Sequence, residues 1–264
     1  MPAISIAKFR RIVRDYYRAN RRSMPWRDDH SPYSVVVSEI MLQQTQVARV
    51  LEKYPVFMRT FSDFEALAGA STVNVLAAWQ GMGYNRRALN LQKLARQLTQ
   101  DHDGQLPQDP KLLIKLPGIG PGTAGSIAAF AFNQPVVFVE TNIRRVIIHH
   151  FFSDHRDIPD TDILPIVERS LDCTNPREWY YALMDYGAHL AKTVPNPNRR
   201  SKHYSVQSKF EGSDRQIRGT IVRLLLEFPV LTAQDVVNRF PGEPQERITR
   251  ILEQLTKEGF LQQQ

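Results

Sequence analysis

Two glutamates lie where a carboxyl group could do chemistry. Glu39, in VVVSEIMLQQ, has Val35, Val36 and Leu42 as neighbours at helical spacing. If this face lines a pocket, desolvation raises the pKa of the carboxyl and keeps it protonated near neutral pH. Glu140, in VETNIRRV, precedes a predicted helix whose N-terminal dipole favours the ionised carboxylate. The two carboxyls would suit an acid, Glu39, and a charge-stabilising group, Glu140, with pKa values moved in opposite directions. The alternatives are a solvated helix glutamate for Glu39 and a simple helix cap for Glu140.

A glycine-rich turn is the second candidate site. The stretch LPGIGPGTAGSIAAF, residues 116–130, places Gly118 and Gly120 between two predicted helices. Without side chains at these positions the backbone can approach a ligand closely, and the helix N-terminus that follows favours an anion. The turn therefore predicts a phosphate site, although glycine turns also serve only to join two helices.

The charge distribution favours a polyanionic partner. The 264 residues include 34 Lys and Arg against 27 Asp and Glu, a formal net charge of +7. Residues 1–27 contain eight cations and one anion, and residues 196–218 contain six cations and two anions. The two stretches could contact the phosphates of one nucleic acid, or they could be solvated surfaces.

Cysteine usage and the N-terminal sequence predict an intracellular protein. Cys173 is the only cysteine, which excludes an intramolecular disulfide and any cysteine-built zinc or iron–sulphur site. Lys8, Arg10 and Arg11 interrupt the apolar run that a signal peptide needs. No segment approaches the roughly 18 consecutive apolar residues of a membrane span. We therefore expect a cytoplasmic protein.

Helical patterns dominate the chain. After Ser31-Pro32, an N-cap followed by a first-turn proline, one helix is predicted through VVVSEIMLQQTQVARVLEKY. Further helices are predicted over 63–69, 73–80, 86–101, 110–115, 123–132, 142–152, 161–172 and 177–191. The apolar run PVVFV at 135–139 is isolated. These patterns predict an all-α fold.

A basic, proline-containing segment at 192–213 is predicted to be a linker or DNA-contacting loop between a core, residues 1–191, and a C-terminal module, residues 214–264. Three short helices are predicted in the module, which resembles a winged-helix or helix-turn-helix domain. The apolar face of its third helix contains Ile248, Ile251, Leu252 and Leu255. DNA binding and protein docking are both open for this module.

Several sequence strings resemble, in order, motifs of the MutY-type adenine DNA glycosylases in the endonuclease III superfamily. They are PWR at 25–27, SEIMLQQTQV at 38–47, WQGMGYNRRALNL at 79–91, LPGIGPGTA at 116–124 and MDYGAHL at 184–190. The resemblance runs from about residue 8 to 191 and does not extend to the C-terminal module. It implies a two-lobed helix-hairpin-helix fold and hydrolysis of the bond between a flipped-out base and its deoxyribose.

The resemblance assigns catalytic roles to three residues. Glu39 matches the family's catalytic glutamate, which protonates the departing base, and Asn142 matches an asparagine that could orient water or the sugar. Glu140 falls where the family has a catalytic aspartate. The additional methylene moves the carboxylate by about one bond length, and misplacement by about 1 Å can cost around a hundredfold in rate. Either the backbone compensates or the activity has changed.

The resemblance also implies a set of DNA-contacting residues. Tyr84 matches an aromatic wedge inserted beside the mismatch, and Gln43 and Gln44 belong to the lesion-facing surface. The phosphate anchor at 118–123 includes Gly118, Gly120, Gly122 and Thr123. Because Gly122 stands where strand-cleaving relatives have a nucleophilic lysine, we expect a monofunctional glycosylase.

Two features of the family are missing from the sequence. Typical relatives bind a [4Fe-4S] cluster through four cysteines after the core, whereas this chain has the basic loop NPNRRSKHYSVQSKF. Arg199, Arg200 and Lys202 of that loop could contact phosphates instead. We expect no metal or cofactor, and only a monovalent cation at the hairpin stays open. The C-terminal module has no resemblance to the domain that reads 8-oxoguanine in full-length relatives.

Together these features predict a monomeric, nucleoid-associated base-excision enzyme that binds mismatched or oxidised double-stranded DNA and no membrane. The leading substrate is adenine opposite 8-oxoguanine or guanine. One alternative is a thymine or uracil mismatch glycosylase on the same scaffold, and another is a non-catalytic DNA-binding or regulatory protein.

Overall fold

The computed structural model describes residues 4–153, 155–207, 209–228 and 231–260, and its regular secondary structure is helical. Within these ranges the only β pairing is an isolated parallel bridge between Ile158 and Ser201. The all-α prediction is therefore confirmed, and PVVFV belongs to no helix and no strand. Among the described helices, none combines the length and the apolar character that crossing a membrane requires.

The bounds of the predicted helices are observed closely, with one exception described below, and two helices within residues 6–28 are additional to the prediction. In chain order the helices are α1 (Ile6–Asn20), α2 (Pro25–Asp28), α3 (Pro32–Leu42), α4 (Val47–Thr60), α5 (Phe64–Gly69), α6 (Thr72–Ala78), α7 (Arg86–Asp101), α8 (Pro110–Leu113), α9 (Pro121–Phe132), α10 (Thr141–Phe151), α11 (Asp160–Ser170), α12 (Pro176–Thr193), α13 (Asp214–Glu227), α14 (Ala233–Asn238) and α15 (Gln245–Glu258), with a 3₁₀ turn at Pro197–Arg200. The predicted helix-hairpin-helix corresponds to α8, the glycine turn and α9.

The chain divides into two compact units, each built from discontinuous segments. Unit 1 comprises residues 1–39, 107–115 and 119–206, and unit 2 comprises residues 40–106, 116–118 and 207–264. The chain enters unit 2 for the last time after residue 206, which lies between the predicted limits at 191 and 214.

Aromatic packing between α1, α10 and α12 forms the centre of unit 1. Phe9 of α1 is fully buried and meets the rings of His150, Phe151 and Trp179 edge to face, with centroid separations of 5.5, 5.1 and 6.1 Å. This geometry suits the ring quadrupoles and adds to the free energy gained by burial. It holds α10, the helix that follows Glu140, against two neighbouring helices.

A buried ion cluster joins the N-terminal segment to α12. Asp185 is 1% exposed, and its carboxylate accepts hydrogen bonds from both terminal nitrogens of Arg27, at 3.0 and 2.8 Å, and from Arg22 Nε at 2.6 Å. Burial alone would raise the pKa of Asp185, but the hydrogen bonds and charges of the two arginines lower it. The guanidinium of Arg27 also lies 4.5 Å from the ring centroid of Tyr181.

The prediction of one continuous helix through VVVSEIMLQQTQVARVLEKY is wrong. α3 ends at Leu42 and α4 begins at Val47, and between them Gln44 has a left-handed φ of +53°. The cause is Arg87 of α7, which is 8% exposed and donates hydrogen bonds to carbonyls that a continuing helix would have used. The acceptors are the carbonyl oxygens of Ile40 and Met41, both at 2.9 Å, and that of Gln43.

The C-terminal module has the predicted three helices around a small core. The core residues are Ile217, Ile221, Val222, Val236, Ile248, Ile251, Leu252 and Leu255, so the predicted apolar face of α15 is confirmed. A capping box between Thr232 and Asp235 begins α14. The part of the module that the structure describes contains these helices and no strand, so its resemblance to a winged-helix domain stays a prediction.

Replacing Asp185 by Asn should destabilise the protein strongly. The change leaves Arg27 buried without a counter-charge, and breaking a buried pair in this way costs about 3–5 kcal/mol of unfolding free energy. Urea denaturation at neutral pH measures the effect. The control is Asp172→Asn. Asp172 pairs with Arg14 at 2.6 Å, but the Arg14 side chain is about half exposed, so loss of this pair should cost no more than about 1 kcal/mol. Equal losses in the two variants would contradict this assignment.

Candidate active site

Glu39 lies in the last turn of α3 and receives a hydrogen bond from α9. The Ser126 hydroxyl donates to Glu39 Oε2 at 2.5 Å. Burial raises the pKa of Glu39 to about 7, and the nearby charge of Glu140 adds to this, while the Ser126 hydrogen bond and the charge of Arg27 oppose it. Glu39 can therefore hold a proton near neutral pH, as its apolar helical neighbours predict.

Glu140 caps the N-terminus of α10. Its Oε1 accepts the backbone N–H groups of Asn142 and Ile143 at 2.6 and 2.7 Å, and its Oε2 lies 3.3 Å from the side-chain amide nitrogen of Asn142. Burial raises the pKa of Glu140, against the lowering effect of these N–H groups and of Arg145 and Arg144. The prediction that the pKa values of Glu39 and Glu140 move in opposite directions is wrong, because burial dominates at both carboxyls.

The two carboxyls nevertheless differ in the groups that stabilise their charge. Glu39 has one hydrogen-bond donor, Ser126, whereas Glu140 has two backbone N–H groups, a side-chain amide and a helix N-terminus. Hydrogen bonds to a carboxylate favour its ionised form. These donors favour the ionised form of Glu140, against the burial that raises its pKa.

A chain of contacts fixes Asn142 in this site. Arg145 Nη1 donates to Asn142 Oδ1 at 2.7 Å and to the carbonyl oxygen of Gly187 at 3.0 Å. A Cβ at Gly187 would lie 2.6 Å from Asn142 Cβ, so no larger residue fits there without displacing the asparagine. The glycine of MDYGAHL thereby sets the position of Asn142.

The basic loop that follows α12 is held against α10. Asn198 donates to the carbonyl oxygen of Thr141 at 3.0 Å, and Arg200 donates to carbonyls at the C-terminal end of α10, those of Ile148, Phe152 and Ser153. Arg199 and Lys202 are exposed. Arg200 therefore has a structural contact that the sequence did not predict, while Arg199 and Lys202 present their charges to solvent.

The residues of this loop do not fit an iron–sulphur cluster. A [4Fe-4S] cluster is held by four thiolates, and the chain has one cysteine, Cys173, which is exposed. Within the described ranges no three His, Cys, Asp or Glu side chains are grouped as metal ligands.

The predicted DNA-contacting residues of unit 2 lie around Arg87. Gln43 Nε2 is 3.5 Å from the carbonyl oxygen of Gly118, and Gly118 has a left-handed φ of +82°. The Arg87 guanidinium, which binds the Gln43 carbonyl, lies 5.6 Å from the ring centroid of Tyr84. Gln44 is exposed.

The remaining residues of the predicted phosphate anchor begin α9 in unit 1. Gly120 is exposed and precedes the helix, and Gly122 and Thr123 lie partly buried in its first turn. A Cβ at Gly122 would lie 3.3 Å from the carbonyl oxygen of Val139, which is a tight contact. The glycine lets the segment before Glu140 approach α9.

Sequence reasoning missed the residues that support the site. Ser126 is a single hydroxyl in the apolar run of α9, and Asp185 is a single carboxylate on the buried face of α12. Arg87 in α7 and Arg145 in α10 are likewise charged residues with buried neighbours in the same helix. A polar residue at a buried helical position was the available signal, but its partner was not readable from the sequence.

Comparisons with known proteins identify the family of the chain. The model of the "HhH-GPD superfamily base excision DNA repair protein" matches residues 37–163. The fold of the chain is that of this superfamily. A thermostable thymine-DNA glycosylase of known structure shares the fold, with a TM-score of 0.62, 24% identity, and coverage of 74% of this chain and 91% of that one.

Two curated relatives identify the family more closely. The adenine DNA glycosylase of Mycobacterium tuberculosis is 36% identical over 255 residues, which cover 83% of this chain and 79% of the relative. The adenine DNA glycosylase of Mycolicibacterium smegmatis is 33% identical over 270 residues, covering 94% and 90%. The chain belongs to the adenine DNA glycosylase family of the HhH-GPD superfamily.

Replacing Ser126 by Ala should raise the pKa of Glu39 further above about 7, because the hydroxyl hydrogen bond favours the ionised carboxylate. A ¹³C NMR titration of the Glu39 carboxyl measures this directly. The control is Ser170→Ala, which removes a buried hydroxyl bonded to the carbonyl of Val167 and should leave the titration unchanged. A shift of the Glu39 titration to lower pH in the Ser126 variant would refute the assignment.

Proposed function

We propose that this protein removes adenine mispaired with 8-oxoguanine or guanine from double-stranded DNA. The observation that carries the proposal is the pair of partly buried carboxyls, Glu39 with a pKa raised to about 7 and Glu140 held at a helix N-terminus. Membership of the adenine DNA glycosylase family supports adenine as the base.

In the proposed reaction Glu39 donates its proton to the adenine ring as the bond from C1′ to the base nitrogen breaks. The departing base takes the bonding electron pair, and the sugar becomes oxocarbenium-like. The Glu140 carboxylate stabilises this positive charge, and Asn142 orients the sugar or water. Water then attacks C1′ and returns a proton to the Glu39 carboxylate, leaving an abasic site.

The same proposal makes the enzyme monofunctional. A lyase step needs an amine that forms a Schiff base with the sugar, and Gly122 has no side chain at the position where strand-cleaving relatives have lysine. The abasic strand should therefore stay intact after base release.

DNA binding is assigned to the exposed glycine turn and to two exposed cationic side chains of the basic loop that follows α12. Gly118 and Gly120 are exposed, and the first turn of α9 offers N–H groups to a phosphate. Arg199 and Lys202 add positive charge, and Tyr84 is the wedge that enters the stack.

Single-turnover release of adenine from a duplex with adenine opposite 8-oxoguanine tests the proposal. The wild type should release adenine, with strand breaks only after hot alkali. Glu39→Gln should lower the rate by about a hundredfold to ten-thousandfold, because the variant has no proton to donate. As a control, Glu168→Gln changes an exposed glutamate of α11 and should leave the rate unchanged.

Other outcomes select the alternatives. Release of thymine or uracil from mismatches, with none of adenine, would assign the protein to the mismatch glycosylases of the same fold. Tight duplex binding without release of any base would support a non-catalytic role and refute the proposal.

Replacing Glu140 by Gln should lower the rate of adenine release by about a hundredfold while leaving duplex affinity unchanged. The amide can still accept the N–H groups that cap α10, but it no longer offers a negative charge to the sugar. Rate and affinity are measured on the same duplex, by single-turnover kinetics and fluorescence anisotropy. A wild-type rate would show that Glu140 serves only as the helix cap.

A further inference from the structure

The Tyr84 ring is held in place at the surface of unit 2. Its backbone has a left-handed φ of +46°, which is uncommon for residues other than glycine, and the residue is 37% exposed. Arg87 imposes it by donating to the carbonyl oxygens of Met82 and Gly83 at 3.2 and 3.1 Å. The ring is thus fixed before any ligand binds.

The C-terminal module meets this ring with an arginine and a second aromatic residue. Arg215 of α13 donates to the Tyr84 hydroxyl at 2.9 Å, and the Gln207 side chain is also bonded to that hydroxyl. The Arg215 guanidinium lies 6.0 Å from the Tyr84 ring centroid and 5.9 Å from that of Phe210, which is 60% exposed. Two exposed rings therefore share one guanidinium.

An ion cluster fixes the module beside the Tyr84 loop. Glu258, near the end of α15, is bonded to Arg86 and to Arg218, the latter at 2.6 Å. Arg86 is two residues after Tyr84, and Arg218 is one turn after Arg215 on α13. The Glu258 carboxylate therefore binds both the loop that carries Tyr84 and helix α13, which carries Arg215.

We propose that unpaired DNA bases stack on one surface formed by Tyr84, Arg215 and Phe210, called the stacking surface below. The C-terminal module would thereby take part in recognising DNA. The inference rests on the proposed function in that DNA is the ligand. The occupant is a base that has lost its partner in an opened duplex.

The chemistry of the surface favours nucleobases over other ligands. Bases stack on aromatic rings and on guanidinium planes without regard to sequence, and Arg adds a charge that the phosphates attract. An open depression of about 460 Å³ borders Phe210, lined also by Lys209, Glu211 and Gln216. A protein core would have buried these rings, and a site for phosphate alone would not need them.

A duplex with 2-aminopurine opposite a tetrahydrofuran abasic analogue tests the proposal. The 2-aminopurine nucleotide carries a 2′-fluorine, which makes its glycosidic bond resistant to cleavage, so the result does not depend on glycosylase activity. The full-length wild type should quench 2-aminopurine fluorescence by stacking. Phe210→Ala and Arg215→Ala should each abolish most of the quenching and raise Kd about tenfold, equivalent to about 1.4 kcal/mol.

Two further variants sharpen the result. Phe228→Ala removes another exposed ring of the module that lies 4.8 Å from an arginine, Arg239, and should leave quenching and Kd at wild-type values. Arg215→Lys keeps the charge but not the plane, so it should lose quenching as Arg215→Ala does.

Three results would overturn the proposal. Wild-type quenching in Phe210→Ala would exclude a stacking surface, and wild-type behaviour of Arg215→Lys would reduce Arg215 to a phosphate contact. Faster adenine release in Arg215→Ala would instead identify an inhibitory contact on Tyr84. Absence of adenine release by the wild type, with quenching intact, would refute the proposed function and leave the stacking surface standing.

Discussion

The site in unit 1 depends on the close approach of three backbone segments at the N-terminus of α10. Gly187 lets α12 approach Asn142, and Gly125 lets α9 approach Phe138, where a Cβ would lie 2.4 Å from the phenylalanine Cβ. Neither contact tolerates a methyl group, because protein interiors have little free volume to give up. With the segment held on both sides, Glu140 and Asn142 have little freedom to leave the end of the helix.

This close packing also explains the electrostatics of the two carboxyls. Exclusion of water raises the pKa of Glu39 and of Glu140 alike, and it strengthens whatever charges remain nearby. Arg27 is one such charge, and alone it would pull the pKa of Glu39 down. Because Asp185 binds Arg27 through both carboxylate oxygens, much of that positive charge is already compensated. The buried ion cluster thus stabilises unit 1 and helps Glu39 to keep its proton.

Local sequence signals predicted most helices but not the contacts that place them. The bounds of α7 and of the three C-terminal helices follow apolar spacing and caps, which are properties of neighbouring residues. The break at Gln44 depends instead on Arg87, and the hydrogen bond to Glu39 comes from Ser126, 87 residues away. The motifs identified Glu39, Glu140 and Asn142 as candidates. Their partners could not be predicted, because long-range pairing is decided by tertiary packing and not by local spacing.

Gly122 and Glu140 are best understood together. In the family pattern that the sequence resembles, strand-cleaving relatives have a lysine at the position of Gly122, and an aspartate stands at the position of Glu140. This chain therefore has a smaller side chain at 122 and a side chain longer by one methylene at 140. The carbonyl of Val139 lies 3.3 Å from the Cβ that a larger residue at 122 would have, so such a residue would press on the segment that ends at Glu140. Without it the segment can lie closer to α9, and the longer side chain still reaches the N–H groups of α10 at 2.6 and 2.7 Å. In this structure the glycine at 122 thus leaves room for the segment that ends at Glu140, and the glutamate side chain reaches the N-terminus of α10.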